Sequence, residues 1–453
     1  MAPAVITETA IDDIKIHIKS GPTTAPEALA AVKARFVERN PTSLKLHEEA
    51  VRSLPGGNTR SLLHTAPFPI FMKSGHGHTV LSEDGHTYTD FVGELTAGLY
   101  GHTQPLIQET LVDAIQNIGM NLGATTKLES RHAALLCKRF NLDLIRFTNS
   151  GTEANLHALQ VARKFTGKRK VVAFTGGYHG GCFSFPEDKP TENSVDLHEW
   201  IIAEYNDLAD TKRKIEESGD VAAVIVEGMQ GAGPAIVGTS AFLKQVQESA
   251  RKVGAVFILD EVMTSRLAPG GLQELENLQP DLTSLGKYLG GGITFGAFGG
   301  RADIMSIYDP RDGMALAHSG TFNNNVLGMA AGYIGLSQIY TPEAAVSANA
   351  QGDAFRKALQ DLTPGNKMAI TGRGTIIGIH FLKDGKKELA SYRERQDDHE
   401  LKELFWFEMM EENIWLHKRG YIPLILGTPQ EELDRFVECV KEFLARHESL
   451  VKL

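Results

Sequence analysis

Between residues 144 and 261 the sequence repeatedly passes from a short apolar run, through a polar or glycine residue, into an amphipathic stretch. The runs are IRFT (145–148), KVVAFTGG (170–177), VAAVIVEG (221–228) and AVFILDE (255–261). Strands that are buried on both faces have continuous apolar sequences, and helices connect such strands when they are parallel. The pattern predicts an α/β fold with a large, mostly parallel sheet covered on both faces. Ligands of such sheets bind beyond the carboxyl ends of the strands.

The chain has 453 residues, more than a single core ordinarily holds. We predict a flexible N-terminus (1–26), the N-terminal part of a small domain (27–100), a large domain (101–330) and the C-terminal part of a small α+β domain (331–453). Helical periodicity predicts helices at Pro26–Arg39 and Ser43–Ser53. Asp84-Gly85, between two alternating stretches, predicts a β-hairpin.

Composition excludes several classes of function. The net charge of −10 disfavours binding to nucleic acids and to anionic membranes. Cys137, Cys182 and Cys439 lie far apart without a CxxC pair, so we expect neither a disulfide framework nor a metal site. No apolar run approaches the roughly 18 residues of a membrane span, and the N-terminus does not resemble a signal peptide. We therefore expect a cytoplasmic protein without a membrane partner.

The junction TNSGTEANLHALQVARKF (148–165) is the first candidate site. Ser150, Gly151 and Thr152 stand at the start of a predicted helix, where free N–H groups and the helix dipole favour a phosphate. An ordinary serine N-cap explains the same residues equally well, so this motif alone leaves both interpretations open. The nucleotide-binding patterns GxxxxGK[ST] and a suitably placed GxGxxG do not occur.

Three further motifs follow predicted strands. In FTGGYHGG (174–181), Tyr178 and His179 follow a glycine pair, so an aromatic ring could stack on a planar ligand. For this motif alone, a tight strand-to-helix turn with a surface tyrosine is the favoured interpretation. Asp260 and Glu227 end apolar strands, and a carboxylate there could keep a pyridine nitrogen protonated or simply cap a helix. Lys287 in TSLGKYLGGG (283–292) becomes a nucleophile if it is desolvated, although a lone lysine usually lies at the surface. Only the combination of motifs is specific.

In this combination, from about residue 45 to the C-terminus, the sequence resembles the class III aminotransferases of the fold-type I pyridoxal-phosphate superfamily. The resemblance implies that Lys287 carries pyridoxal 5'-phosphate as a Schiff base and that Asp260 binds its pyridinium nitrogen. Tyr178 would stack on the ring, and Gly151 and Thr152 would hold the phosphate. The other candidate cofactor-binding residues are Ser150, His179 and Glu227.

The resemblance also concerns the motif AHSGTFNNN (317–325). In the family, the threonine at the position of Thr321 reaches the phosphate that is bound in the neighbouring subunit. The resemblance therefore implies a homodimer with its active sites at the interface.

Two groups within the class are similar to this sequence. PGGNTR (55–60) and the layout of the middle resemble the glutamate-1-semialdehyde aminomutases. PGGNTRSLLHTAPFP (55–69), ILDEVMTSRLAP (258–269) and LGKYLGGGITFGAFGGRADIM (285–305) are more similar to the β-phenylalanine aminotransferases. In that group two arginines bind substrate carboxylates, and the matching residues are Arg60 and Arg419. A surface ion pair is the alternative role for each arginine.

These patterns predict a transaminase that moves an amino group from a β-amino acid or amine to a 2-oxo acid such as 2-oxoglutarate or pyruvate. The first alternative is an aminomutase, which needs no second substrate. An alternative of another class is a cofactor-binding protein that has lost catalysis. The intact Lys287 and Asp260 argue against this last alternative.

Overall fold

A computed structural model describes residues 24–453. The predicted flexible N-terminus (1–26) lies outside the described residues except for its last three positions, and the first helix begins at Ala25. The helices are α1 Ala25–Arg39, α2 Pro41–Ala50, α3 Pro105–Asp113, α4 Lys127–Phe140, α5 Gly151–Thr166, α6 Leu208–Glu216, α7 Ser240–Lys252, α8 Leu272–Leu275, α9 Ala302–Met305, α10 Val326–Ile334, α11 Pro342–Gln360, α12 His399–Glu411, α13 Gln430–Arg446 and α14 Glu448–Val451.

The strands are β1 Met72–His76, β2 Thr79–Ser82, β3 Thr87–Asp90, β4 Leu144–Thr148, β5 Lys170–Phe174, β6 Gly177–Tyr178, β7 Ser184–Phe185, β8 Trp200–Ala203, β9 Val221–Glu227, β10 Met229–Gln230, β11 Ile236–Val237, β12 Val256–Asp260, β13 Leu282–Gly286, β14 Gly296–Gly300, β15 Met368–Arg373, β16 Ile376–Phe381, β17 Ile414–Trp415 and β18 Tyr421–Pro423. Single helical turns, 3₁₀ or π, occur at 55–57, 61–63, 93–96, 114–118, 264–266, 287–290, 306–308, 335–339 and 392–394.

The large sheet confirms the predicted fold class. Its order is β4-β14-β13-β12-β9-β5-β8, and the neighbours from β13 to β8 pair in parallel. Alternate residues of its central strands enter two different cores. Val224 and Phe257 pack in one core, and Ile225 and Ile258 pack in the other. Because both faces are buried, these strands lack the apolar–polar alternation of a sheet with one solvated face.

Strand β14, with the sequence GAFGG, is the antiparallel member of this sheet. It lies between β13 and β4, so it separates the first predicted strand from the other three. A Cβ at Gly296 would lie 2.2 Å from the Ser150 carbonyl oxygen, and one at Gly300 would lie 2.1 Å from that of Asp281. Glycine is therefore required here because neighbouring backbone approaches closely.

The small domain draws on both ends of the chain. Strands β1, β2 and β3 form an antiparallel sheet around the predicted hairpin at Asp84-Gly85, and β17 adds to β3 in parallel. One hydrophobic core joins residues of 28–91 to residues of 355–451. The boundaries at residues 100 and 330 remain a proposal, which this shared core supports.

The predicted helices agree with the structure to within a few residues. The helix predicted at Ser43–Ser53 begins at Pro41 instead, because proline suits the first helical position. Among the helices of residues 24–453, none is long and apolar enough to cross a membrane.

Candidate active site

Three predicted residues lie together at the carboxyl edge of the large sheet. Glu227 and Asp260 end the neighbouring strands β9 and β12 and are paired in register. Lys287 is the first residue after β13, the strand on the other side of β12. The carboxyl ends of parallel strands meet at one edge, so residues that are distant in sequence become neighbours.

Asp260 is buried, with 5% of its surface exposed, and both oxygens of its carboxylate have polar partners. The oxygen Oδ2 accepts a hydrogen bond from Asn155 Nδ2 at 2.7 Å and lies 2.8 Å from His179 Nδ1. The oxygen Oδ1 accepts from the Val262 backbone N–H at 3.0 Å. Asn155 also donates to the His179 carbonyl at 2.9 Å. These contacts fix both carboxylate oxygens, so the negative charge has a defined position.

Lys287 is partly buried and has a φ of +56°. A side-chain-bearing residue in this left-handed region costs free energy, and such residues concentrate at functional sites. Burial lowers the pKa of Lys287, the nearby carboxylates of Asp260 and Glu94 oppose that shift, and the guanidinium of Arg60 adds to it. Burial therefore favours the neutral amine, which is the nucleophilic form.

The start of α5 offers donors for an anion. The Ser150 side chain accepts from the Glu153 N–H at 3.2 Å, as an N-cap does. Within the described residues, the N–H groups of Gly151 and Thr152 make no hydrogen bond. A Cβ at Gly180 would lie 2.4 Å from the Thr152 hydroxyl, so glycine leaves room for it. Two free N–H groups at a helix N-terminus could form a phosphate cradle.

Glu227 shapes the segment that carries Tyr178. Its buried carboxylate accepts from the backbone N–H groups of Tyr178 at 2.8 Å and Gly231 at 2.9 Å. Burial raises the pKa of Glu227 to about 7; the charge of Asp260 acts in the same direction, whereas His179 opposes the shift. Tyr178 itself is 48% exposed, so its ring is accessible to a ligand.

The two predicted substrate-binding arginines have different surroundings. Arg60 forms an ion pair with Glu94 that is about half exposed. Arg419 forms no ion pair with any residue of 24–453. Burial, together with the charge of Arg395, lowers the pKa of Arg419, whereas Tyr392 and Tyr178 raise it.

The charges of both arginines act on the buried His417. Its pKa is lowered to about 4, mainly by burial, and the charges of Arg419 and Arg60 both contribute to the shift. The two guanidinium groups thus lie within electrostatic range of one buried imidazole.

Thr321 does not join the site of its own chain. It is exposed in the turn ahead of α10, and its side chain makes no hydrogen bond within the described part of the chain. A role toward a neighbouring subunit therefore remains a prediction.

Sequence reasoning missed several residues that border the site. Asn155 follows Gly151 by four positions, so helical spacing places it one turn into α5, facing the same side. Val262, two positions after Asp260, has side-chain atoms 2.8 Å and 3.3 Å from the Cβ positions of Gly151 and Gly286. Glu94 and Tyr392 lie in irregular segments whose sequences give no periodic signal.

Known proteins are similar to this chain over most of its length. Residues 63–404 match the family model of the class-III aminotransferases. An uncharacterised aminotransferase of Schizosaccharomyces pombe is 50% identical over 423 residues, covering 93% of this chain and 96% of that protein. The β-phenylalanine transaminase of Variovorax paradoxus is 45% identical over 432 residues, covering 94% of this chain and 98% of that protein.

The crystal structure of a β-phenylalanine aminotransferase from Variovorax paradoxus superposes with a TM-score of 0.92 at 44% identity, covering 95% of this chain and 99% of that one. A glutamate-1-semialdehyde 2,1-aminomutase of Heliobacterium modesticaldum is 38% identical over 318 residues, covering 66% and 72%. Both resemblances seen in the sequence are therefore confirmed.

The site fits pyridoxal 5'-phosphate. The free N–H groups of Gly151 and Thr152 suit the phosphate. The carboxylate of Asp260, held by Asn155, suits a protonated ring nitrogen, and Lys287 could supply the amine. The chain belongs to the class-III aminotransferases and is a pyridoxal-phosphate enzyme.

Proposed function

We propose that the protein transfers an amino group from a β-amino acid, aromatic or aliphatic, to a 2-oxo acid such as 2-oxoglutarate or pyruvate. The main support is the pair of guanidinium groups, Arg60 and Arg419, within electrostatic range of His417. A transaminase binds two substrates in turn, and both of these substrates carry a carboxylate. A guanidinium is always charged and can hold a carboxylate through two parallel hydrogen bonds.

The roles proposed for the remaining residues follow from their surroundings. Pyridoxal phosphate, when bound, supplies an electron sink for the carbon that carries the amino group. Lys287 Nζ, favoured as the neutral amine by burial, can accept a proton from that carbon and return it. Asp260 holds a negative charge where the ring nitrogen would lie, and Asn155 and His179 keep that carboxylate in place. Tyr178, Gly151 and Thr152 bind the cofactor and orient it.

The similarity to β-phenylalanine transaminase extends over nearly the whole chain, which favours a β-amino acid as the donor. We expect the purified holoenzyme to convert a β-amino acid only when a 2-oxo acid is present. Paired assays with and without 2-oxoglutarate or pyruvate test this, with several α-, β- and ω-amino donors compared. Steady product formation without an acceptor would instead establish the aminomutase alternative, which the similarity to glutamate-1-semialdehyde aminomutases keeps open.

We further propose a homodimer in which Thr321 binds the phosphate held by the partner subunit. Supporting this, exposed apolar residues lie in the turn of Thr321 and in the segment next to it. These residues, all at least half exposed, are Ile115, Met120, Leu122 and Phe322. The nearby Asn324 Nδ2 lies 3.5 Å from the Ala124 carbonyl, which brings the two segments together. Several exposed apolar side chains on segments in contact are typical of an interface.

Light scattering should give twice the chain mass of 49.4 kDa. Phe322→Asp should shift the mass toward the monomer and weaken cofactor binding together with it, because a buried charge opposes association. Phe165→Asp, at another exposed phenylalanine, is the matched control and should stay dimeric. A fully active monomer contradicts the proposal. A cytoplasmic location is part of the same proposal and can be tested by cell fractionation.

A further inference from the structure

Four consecutive residues beside the candidate site have left-handed backbone. The φ angles are +46° at Gly93, +44° at Glu94, +54° at Leu95 and +81° at Thr96. Residues with side chains adopt this region at a cost, and a run of them persists only where the surroundings impose it. The conformation of this segment is therefore set by the fold rather than by local preference.

The neighbouring contacts show how the fold imposes it. The Asp90 carboxylate accepts hydrogen bonds from the N–H groups of Val92 at 2.7 Å and Gly93 at 3.0 Å, and its other oxygen lies 2.9 Å from His102 Nε2. A Cβ at Gly93 would lie 2.5 Å from the Pro423 carbonyl oxygen. The backbone directly before Glu94 is consequently held by buried structure.

The charge of Glu94 acts on two residues of the candidate site. Glu94 forms an ion pair with Arg60, and the charges of both residues act on Lys287. Arg419 has no such partner among the described residues. One of the two guanidinium groups that are proposed to bind substrate is thus already paired with a carboxylate of the protein.

We propose that Glu94 determines specificity by occupying Arg60 when no substrate carboxylate is present and by yielding it to a substrate carboxylate. The inference rests on the proposed function, in which Arg60 binds a substrate carboxylate. Displacing Glu94 from Arg60 costs little free energy, because both side chains of the pair are about half exposed and water can solvate the released carboxylate. An amine that lacks a carboxylate leaves the pair intact, so its apolar group does not face an uncompensated guanidinium.

Binding of 3-phenylpropanoate, a carboxylate that has no amino group and does not react, tests the inference by calorimetry on the holoenzyme. Glu94→Gln keeps the size of the side chain and removes its charge, so the Kd should fall roughly threefold to fivefold, the equivalent of one exposed ion pair. Arg60→Ala should raise the Kd. The double variant should match Arg60→Ala, because Glu94 acts only through Arg60.

Kinetics give an independent readout. In Glu94→Gln the KM for a β-amino acid should fall, whereas the KM for 1-phenylethylamine, which has no carboxylate, should rise. Glu199→Gln is the matched control: Glu199 also pairs with an arginine, Arg169, but lies at the amino end of β8, on the far edge of the sheet. It should leave all these values unchanged.

The outcomes separate the inference from the proposed function. A Kd in Glu94→Gln that stays within twofold of the wild type, or that rises, overturns the role of Glu94 even if β-amino acids are good donors. An effect of Glu94→Gln that persists in the Arg60→Ala background overturns it as well. A wild-type enzyme that does not accept β-amino acids refutes the proposed function instead.

Discussion

The two sides of the active site are built in different ways. On the cofactor side, Asp260, His179 and Asn155 are buried and bonded to one another, and all three belong to the large domain. On the proposed substrate side, Arg60 and Arg419 are partly exposed and come from opposite ends of the chain. One side is a closed hydrogen-bond network, and the other is a set of charges whose partners, on our proposal, change when a substrate binds.

This difference indicates where chemistry and selectivity are located. A buried network holds one charge in one place, which suits a step common to all substrates. Exposed charges on irregular segments can bind different substrates at modest cost. Substitutions on the cofactor side should therefore affect all substrates alike, and substitutions on the substrate side should distinguish between them.

Lys287→Ala should have the largest effect. Removing the amine should abolish measurable turnover with every donor, because no neighbouring group replaces it as base. The cofactor should stay bound without a covalent link, since the phosphate cradle at α5 is intact. Borohydride reduction of the wild type followed by peptide mapping should place the label on Lys287. A label on another lysine contradicts the assignment.

Asp260→Asn tests the buried network. Loss of the charge should lower kcat/KM by roughly a hundredfold to a thousandfold for all donors, as expected for about 3–4 kcal/mol of lost transition-state stabilisation. Asn155→Ala keeps the carboxylate and removes one donor, so its effect should be about tenfold and equally independent of the donor. If either variant lowered kcat/KM strongly for some donors and little for others, the proposed difference between the cofactor side and the substrate side would be wrong.

Arg60→Ala and Arg419→Ala test the substrate side. Each should lower kcat/KM for some carboxylate substrates by about thirtyfold or more, corresponding to about 2–4 kcal/mol for a charge-assisted pair. The substrates affected should differ between the two variants, and amines without a carboxylate should be nearly unaffected. Wild-type values of both variants with a β-amino acid and with 2-oxoglutarate would end the carboxylate assignment.

The smallest effect should be similar on both sides, because burial is its main cause. Burial lowers the pKa of His132, behind the cofactor side, and of His417, on the substrate side, to about 4 each. The unfolded chain takes up protons below about pH 6.5 and the folded chain does not, so stability falls as the pH drops from 6.5 toward 4.

The free energy of unfolding should decrease by about 1–2 kcal/mol per histidine between pH 6.5 and 5. Urea unfolding at several pH values measures this decrease. In His132→Gln and in His417→Gln the slope against pH should be smaller than in the wild type, even if the variants are less stable overall. An unchanged slope in both variants would show that other groups cause it.

Regular elements made much of this molecule predictable from sequence. The strands that end in Glu227 and Asp260 are continuous apolar runs, and the parallel sheet follows from them. Strand β14 was not predicted, because three of its five residues are glycines, which have low strand propensity. Its position in the sheet depends on backbone contacts that leave no apolar pattern.

The positions of some residues in the candidate site were also predictable from the sequence. Asp260 and Lys287 lie at strand ends, where the sequence indicates a ligand-binding edge. The partnership of Arg60 with Glu94 was not predictable, because it depends on a run of left-handed residues held by Asp90 and by Pro423 from the other end of the chain. Long-range contacts of this kind have no local sequence signal.

Strand β14 also limits how this enzyme can be changed. The backbone of Ser150, directly before the phosphate cradle, lies where a side chain at Gly296 would have to be, and Gly299 and Gly300 are equally confined. A library that randomises this strand should yield almost only glycine at these three positions among the active clones. The exposed segments around Arg60 and Arg419 should tolerate many residues, so variation aimed at new substrates belongs there.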